Sequence, residues 1–300
     1  MATVQVFWDP SGFELNTLGD NTFVRNKDGD TPIIEIEIRM LSVDTPETKY
    51  PRENAARTDE ELAQLATWLR EGKTPAGAEL AEYLIPKLET GRAGTLQQQQ
   101  GNAAKAAFDR LIEERLSRPN RPRRKLFLRT ADERFDDNGR LLAYVAPNYT
   151  PEERAAMTLR QRATFNLQMV ELGWAAAFPI YPSLPRYRDL VLLHEAATVA
   201  HTARLGAWAE PLALAGYEYR ICVKLYQLTK KLVERPGDVR EDERSQWIQR
   251  YCVDLTTLEI WEPQQYIRVP PPDRLFIWPK DVKEAVGYLN LRPGGAGGIT

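Results

Sequence analysis

Apolar and polar residues alternate strictly over residues 34–40, Ile-Glu-Ile-Glu-Ile-Arg-Met, the period of a strand with one wet and one buried face. Short β-branched or alternating runs also occupy residues 4–8, 13–16 and 22–26, so the first fifty residues read as β. Between two of these runs, Lys27-Asp28-Gly29-Asp30-Thr31-Pro32 has the composition of a hairpin turn. The period then becomes helical. Thr58 and Glu61 have capping-box spacing, and Leu62, Leu65 and Leu69 follow at helical intervals before Gly72. Further helices are predicted over 76–88 and 103–116, with the tract Gln97-Gln98-Gln99-Gln100 as a polar loop between them. A strand pair is predicted over 125–130 and 141–145, joined through Asp136-Asp137-Asn138-Gly139-Arg140. Thr150 and Glu153 form a second capping-box pair, opening helices over 152–172 in one or two pieces, and another helix is predicted over 187–205.

Pro211 marks a predicted boundary. Beyond it Tyr217, Ile221, Leu225, Leu228 and Leu232 recur at helical spacing, followed by strands over 251–261 and 275–278 and a helix over 282–289. The expected organisation is a domain over 1–210 carrying a helical insertion at 52–100, a smaller α+β domain over 211–292, and a Gly-rich flexible tail over 293–300.

Composition changes this picture little. The 300 residues are 43% hydrophobic and 27% charged, ordinary for a water-soluble globular chain. Forty basic residues against 42 acidic ones leave a formal charge of −2, so any nucleic-acid site must be local rather than a property of the whole surface. One basic stretch runs from Arg115 through Arg118, Arg121, Arg123, Arg124 and Lys125 to Arg129; it reads first as a solvated loop and second as a nucleic-acid contact. Cys222 and Cys252 lie outside any CxxC or zinc spacing and read as buried thiols, with a disulfide between them left open. His194 and His201 are seven apart, two turns along one helix face, and read as structural. The first residues lack the basic start and apolar core of a signal peptide, and no apolar run reaches the ~18 residues of a membrane span, so the expected setting is cytoplasmic.

The chemistry concentrates where the alternating strand ends, in Arg39-Met40-Leu41-Ser42-Val43-Asp44-Thr45-Pro46-Glu47. Strand ends let a rigid scaffold present polar groups. Asp44 offers a carboxylate and Thr45 a backbone carbonyl, the oxygen donors that calcium takes, and Glu47 is spaced to act on a nearby water. Arg39 and the distant Arg140 supply planar forks suited to phosphate oxygens. Asp-Thr-Pro-Glu by itself would be an ordinary turn.

The order of blocks is more specific. Residues 38–51 resemble the signature segment of the staphylococcal nuclease (thermonuclease) family. Residues 136–145, with Asn-Gly-Arg-Leu-Leu-Ala-Tyr-Val, resemble its second signature. Residues 166–175 are similar to the helix after its barrel, and Leu205-Gly206-Ala207-Trp208 to the end of its last helix. The resemblance implies an α+β fold with an OB-type five-stranded β-barrel and packed helices. It implies calcium held by Asp44, the Thr45 carbonyl and an upstream aspartate; Arg39 and Arg140 on the scissile phosphate; Glu47 on the attacking water; and Tyr181 lining the nucleotide site. Tyr181 is equally plausible as a core residue. The upstream aspartate is Asp20 or Asp30. Only eight residues separate Asp30 from Arg39, whereas a strand, a turn and part of a second strand need about twelve or more, so Asp20 is preferred. The insertion at 52–100 departs from the family and falls beside the site, and Pro179 and Asn138 stand where the family has aromatics. The implied activity is calcium-dependent hydrolysis of DNA or RNA, single-stranded or duplex. The alternative is a non-catalytic nucleic-acid or protein-binding module on the same fold, and residues 211–292 are a candidate surface for self-association or a protein partner.

Overall fold

A computed structural model of the chain describes residues 21–295. The strand readings at 4–8 and 13–16 and the candidate ligand Asp20 lie outside the described residues. The fold is α+β, and the described residues divide into two compact units, 21–39 with 130–143 and 40–129 with 144–295.

In the first unit, Thr22–Asn26 (β1) and Pro32–Glu35 (β2) form an antiparallel hairpin with Thr22 opposite Glu35 and Asn26 opposite Pro32. Lys27 N donates to the Thr31 carbonyl at 2.9 Å, closing the turn that the Asp-Gly-Asp composition predicts. The alternating run is not one strand. It pauses at Ile36-Glu37, resumes as Ile38–Met40 (β3) and continues into the short Val43–Asp44 (β4). Leu126–Phe135 (β5) and Leu141–Pro147 (β6) complete a three-stranded sheet in the order β3-β6-β5.

The second unit includes β4 and continues with three helices, Ala55–Arg70 (α1), Ala78–Leu88 (α2) and Ala93–Leu116 (α3). Two local readings change here. The cap of α1 is Asn54, whose side chain accepts from Arg57 N at 3.3 Å, and Thr58 is buried inside the helix. The Gln97–Gln100 tract is helical: glutamine is a good helix former, and Gln97 and Gln100 are buried, with Gln100 Nε2 donating to the Ala207 carbonyl at 3.0 Å. The Thr150–Glu153 capping box forms as predicted and opens Pro151–Ala156 (α4), and Phe165–Glu171 (α5) follows. Ala176–Ala177 (β7) pairs antiparallel with β4, and Ile180–Tyr181 (β8) follows it. Tyr187–Thr202 (α6) and Gly216–Glu234 (α7) lead to Tyr251–Asp254 (β9), Glu259–Trp261 (β10), Arg274–Ile277 (β11), Val282–Leu289 (α8) and Arg292–Pro293 (β12). Pro293 and Gly294, expected in the flexible tail, are instead held against β10: β12 pairs with it and Gly294 N donates to the Ile260 carbonyl at 2.8 Å.

Residues on both sides of position 210 share one sheet and one core, so the packing does not divide there. The five-stranded sheet has the order β12-β10-β9-β11-β8, with β8 parallel to β11. The main core joins Leu62, Leu65 and Leu84 of the inserted helices to Phe178, Tyr217, Leu225, Tyr266 and Phe276. Inserted helices and C-terminal segment each present an apolar stripe that the other covers. Cys222 and Cys252 are buried free thiols, and burial pushes both well up from the ordinary range. No helix among the described residues is long and apolar enough to cross a membrane.

Candidate active site

The segment 41–48 is held by neighbouring elements of the second unit. Asn166 on α5 donates through Nδ2 to the Leu41 carbonyl at 2.8 Å and accepts from Val145 N at 2.9 Å, tying the segment to β6. Ser42 has φ of +59°, and its carbonyl accepts from Phe178 N at 2.8 Å while its hydroxyl lies 2.6 Å from the Tyr144 hydroxyl. This left-handed residue turns the chain out of β3 and aims Val43–Asp44 along β7, with Asp44 opposite Ala176. Gln98 on α3 donates to the Thr48 carbonyl at 3.1 Å. Gly101 one turn later comes so close that a Cβ there would fall 2.5 Å from the Glu47 carbonyl oxygen. The inserted helical region therefore lies directly against the acidic segment.

The other wall is α7. A Cβ on Gly216 would strike the Thr45 carbonyl oxygen and come 2.6 Å from Asp44 Oδ2, so only glycine allows this approach. Arg220 lies one turn further on the same helix face. Its Nη2 donates to Asp44 Oδ1 at 2.7 Å and its Nη1 donates to Glu47 Oε1. The Asp44 side chain is fully buried, whereas Arg220 and Glu47 keep about a quarter of their surface, 23% and 27%. Burial alone would lower the Arg220 pKa, but Asp44 and then Glu47 outweigh it and hold the guanidinium firmly protonated. The first turn of α7 is itself fixed by a buried network. Arg274 Nη1 pairs with Glu218 Oε1 at 3.0 Å and donates to the Tyr217 hydroxyl at 2.5 Å, and Tyr83 donates to Glu218 at 2.8 Å.

Asp44, Thr45 and Glu47 are thus brought together, as the sequence predicts. Arg220 and Gly216 escaped sequence reading. A glycine at a helix start and an arginine four residues later is a visible spacing, but nothing local says that this face meets residues more than 170 positions away. Arg39 and Arg140 belong to the first unit. There Arg140 Nη2 pairs with Asp136 Oδ2 at 2.6 Å, and Arg140 N donates to Asp136 Oδ1 at 3.0 Å, closing the turn before β6. The alternative aspartate, Asp30, is in the exposed β1–β2 turn and accepts from the Thr31 hydroxyl. Tyr181 is 4% exposed, packs with Val253, Leu275 and Ile277, and donates its hydroxyl to Glu284 at 2.8 Å, the placement of a core residue. In the basic stretch, Arg115 is buried and donates to the Ala163 carbonyl at 2.7 Å and the Tyr149 hydroxyl at 2.7 Å, so its charge serves the packing of α3. His194 pairs with Asp273 at 2.6 Å and His201 packs edge-on to Trp208, both structural.

In this arrangement the acidic segment does not fit a calcium ion. Calcium requires six to eight oxygens at 2.3–2.6 Å. Here Arg220 takes one oxygen of each carboxylate, and Gly216 covers the Thr45 carbonyl and Asp44 Oδ2. The cavity beside Asp44, lined also by Trp174, Trp208 and Gly216, is about 20 Å³, room for about one water. Among the described residues no cluster of three or more His, Cys, Asp or Glu side chains is placed to hold a metal.

A family model described as staphylococcal nuclease homologue matches residues 37–210, more than half of the chain. No curated protein matches it.

Proposed function

The chain belongs to the staphylococcal nuclease homologue family, and from that premise we propose that it is a phosphodiester hydrolase acting on nucleic acid, held latent by Arg220. The observation that carries this reading is that Asp44 and Glu47 converge on a single positive charge. Two carboxylates aimed at one cation are what a metal-assisted hydrolase requires, and an arginine fills the place. The proposed roles are those of the family resemblance. Glu47 takes a proton from water once its Oε1 leaves Arg220. That water attacks phosphorus as the opposite P–O bond breaks, while Arg39 and Arg140 carry the charge on the phosphoryl oxygens. With Arg220 displaced, Asp44, the Thr45 carbonyl and Asp20 would be the residues to hold calcium, which would supply charge stabilisation at the phosphoryl oxygens. The family's OB-type barrel is the reading for the strands up to β6, and Tyr181 as a nucleotide contact would require it to leave its packed position.

The test is cleavage of single-stranded DNA and RNA by the intact chain and by Arg220→Ala, in calcium, magnesium or chelator. Latency predicts little cleavage by the intact chain and calcium-dependent cleavage by the variant. Glu47→Gln in the Arg220→Ala background should then lose on the order of 10²-fold or more. A second reading, a non-catalytic nucleic-acid-binding module, is favoured by the same arginine, because a permanent ion pair would retire the acids. Strand binding without cleavage by either protein would establish it and refute latency.

A further inference from the structure

A cavity of about 140 Å³ opens beside α7, and every residue that lines it lies between 217 and 278, beyond the matched residues 37–210. Three elements converge on it. Ile221 comes from α7, Trp247 from the segment before β9, and Phe276 and Trp278 from β11 and its C-terminal end. The inner walls are fixed: Trp247 and Phe276 are each 4% exposed. The Trp247 indole donates through Nε1 to the Arg244 carbonyl at 3.0 Å, and the Phe276 ring packs on Phe178 with centres 4.7 Å apart. Arg250 brings its guanidinium 4.9 Å from the ring centres of both Phe178 and Trp278. Its charge is engaged with those rings, as the charge of Arg220 is with Asp44 and Glu47, so the lining does not require an anion. At the rim, Gln246 and Gln249 are exposed, and their side-chain amides make no hydrogen bond to a described residue.

A cavity of about 150 Å³ holds one benzene ring, so this recess has room for a single six-membered ring. Tryptophan and phenylalanine walls favour a flat ligand, which stacks on an indole or on the plane of a guanidinium. Primary amides supply both donors and an acceptor, so the rim favours a ring whose edge carries both. A pyrimidine base is flat, uncharged and single-ringed, with such an edge. We propose that the cavity binds a pyrimidine base of single-stranded nucleic acid, stacked against Trp278 and Arg250, with its edge at the Gln246 and Gln249 amides. An unpaired base is required, because in a duplex that edge is already taken. Arg220 is one wall of the cavity and also bridges Asp44 and Glu47, so a base held here stands beside the acidic pair. The choice of a base over another flat ring rests on the nucleic-acid reading above; the site itself stands on its lining.

The experiment is an NMR binding titration of the full chain in chelator. The probes are single-stranded DNA tetramers: all thymine, all adenine, and all abasic with the same phosphates. The thymine tetramer should bind about fivefold or more tighter than the abasic one, the low end of what base–aromatic stacking contributes. It should also bind several-fold tighter than the adenine tetramer, whose two-ring base overfills the recess. Trp278→Ala and Gln249→Leu should each remove most of the thymine preference. Gln249 is exposed, so its variant leaves the packing intact, and a thermal melt checks that Trp278→Ala folds. No binding of the thymine tetramer, or binding equal to that of the abasic tetramer, refutes the base site. Adenine binding equal to or tighter than thymine refutes the single-ring selectivity. A thymine preference retained in both variants puts the base elsewhere and overturns the assignment to this cavity. Because no cleavage is read, failure here is distinct from failure of the hydrolase reading.

Discussion

Replacing Arg220 by alanine removes the charge that bridges Asp44 and Glu47, and the two contacts differ enough to be separated. Two unit charges about 4 Å apart interact by about 4 kcal/mol at an effective dielectric near 20. The Asp44 side chain is wholly buried, so that arm is close to this limit, and stranding a buried carboxylate costs about 3–5 kcal/mol. The Glu47 arm is partly wet at both ends and falls toward the ~0.5–1 kcal/mol of exposed pairs. Arg220→Ala should therefore destabilise the protein by about 3–5 kcal/mol in urea unfolding at neutral pH. Double-mutant cycles should give coupling of about 2–3 kcal/mol between Arg220→Ala and Asp44→Asn, and about 0.5–1 kcal/mol between Arg220→Ala and Glu47→Gln. Coupling to Glu47 equal to or above that to Asp44 would refute the assignment of the buried arm as dominant. Coupling below about 0.5 kcal/mol in both cycles would refute the clamp itself.

Gly216→Ala should cost about 1–3 kcal/mol, because its Cβ meets Asp44 Oδ2 and the Thr45 carbonyl rather than a yielding side chain. Gly287→Ala on α8 meets nothing within 4 Å and should gain about 0.4–1 kcal/mol; equal effects in denaturant would count against the close approach of α7. Burial raises the Glu218 pKa, but Arg274 and its other partners lower it further, to below its ordinary 4.5. The carboxylate thus contributes stability above pH 4.5 that is lost as pH falls through and below that value. The stability difference between the protein and Glu218→Gln should then shrink below pH 4.5, and a difference constant down to pH 3 would contradict it. A chain ending at Glu210 loses β9–β11 and the Tyr217, Leu225, Tyr266 and Phe276 side chains from the main core, so it should lack a cooperative unfolding transition; a sharp transition would show that residues 1–210 fold alone.

The sequence determined the elements whose causes are local. The β1–β2 hairpin follows from alternation around an Asp-Gly-Asp turn, the start of α4 from Thr150 and Glu153, and α7 and α8 from apolar residues at helical spacing. It also placed Asp44, Thr45 and Glu47 together, because they are near neighbours at a strand end. The Gln97–Gln100 tract misled because its helix has no apolar period there, and those side chains are buried through hydrogen bonds that only the packed neighbours supply. The role of residues 211–292 was hidden for a similar reason. Periodicity shows that α7 has an apolar face, and that face does make the core; it is silent about what meets the other face. Arg220 lies 176 positions from Asp44 and 173 from Glu47. Such a pairing depends on the helix docking angle and on a glycine that permits close approach, and both are consequences of tertiary packing that no local pattern encodes.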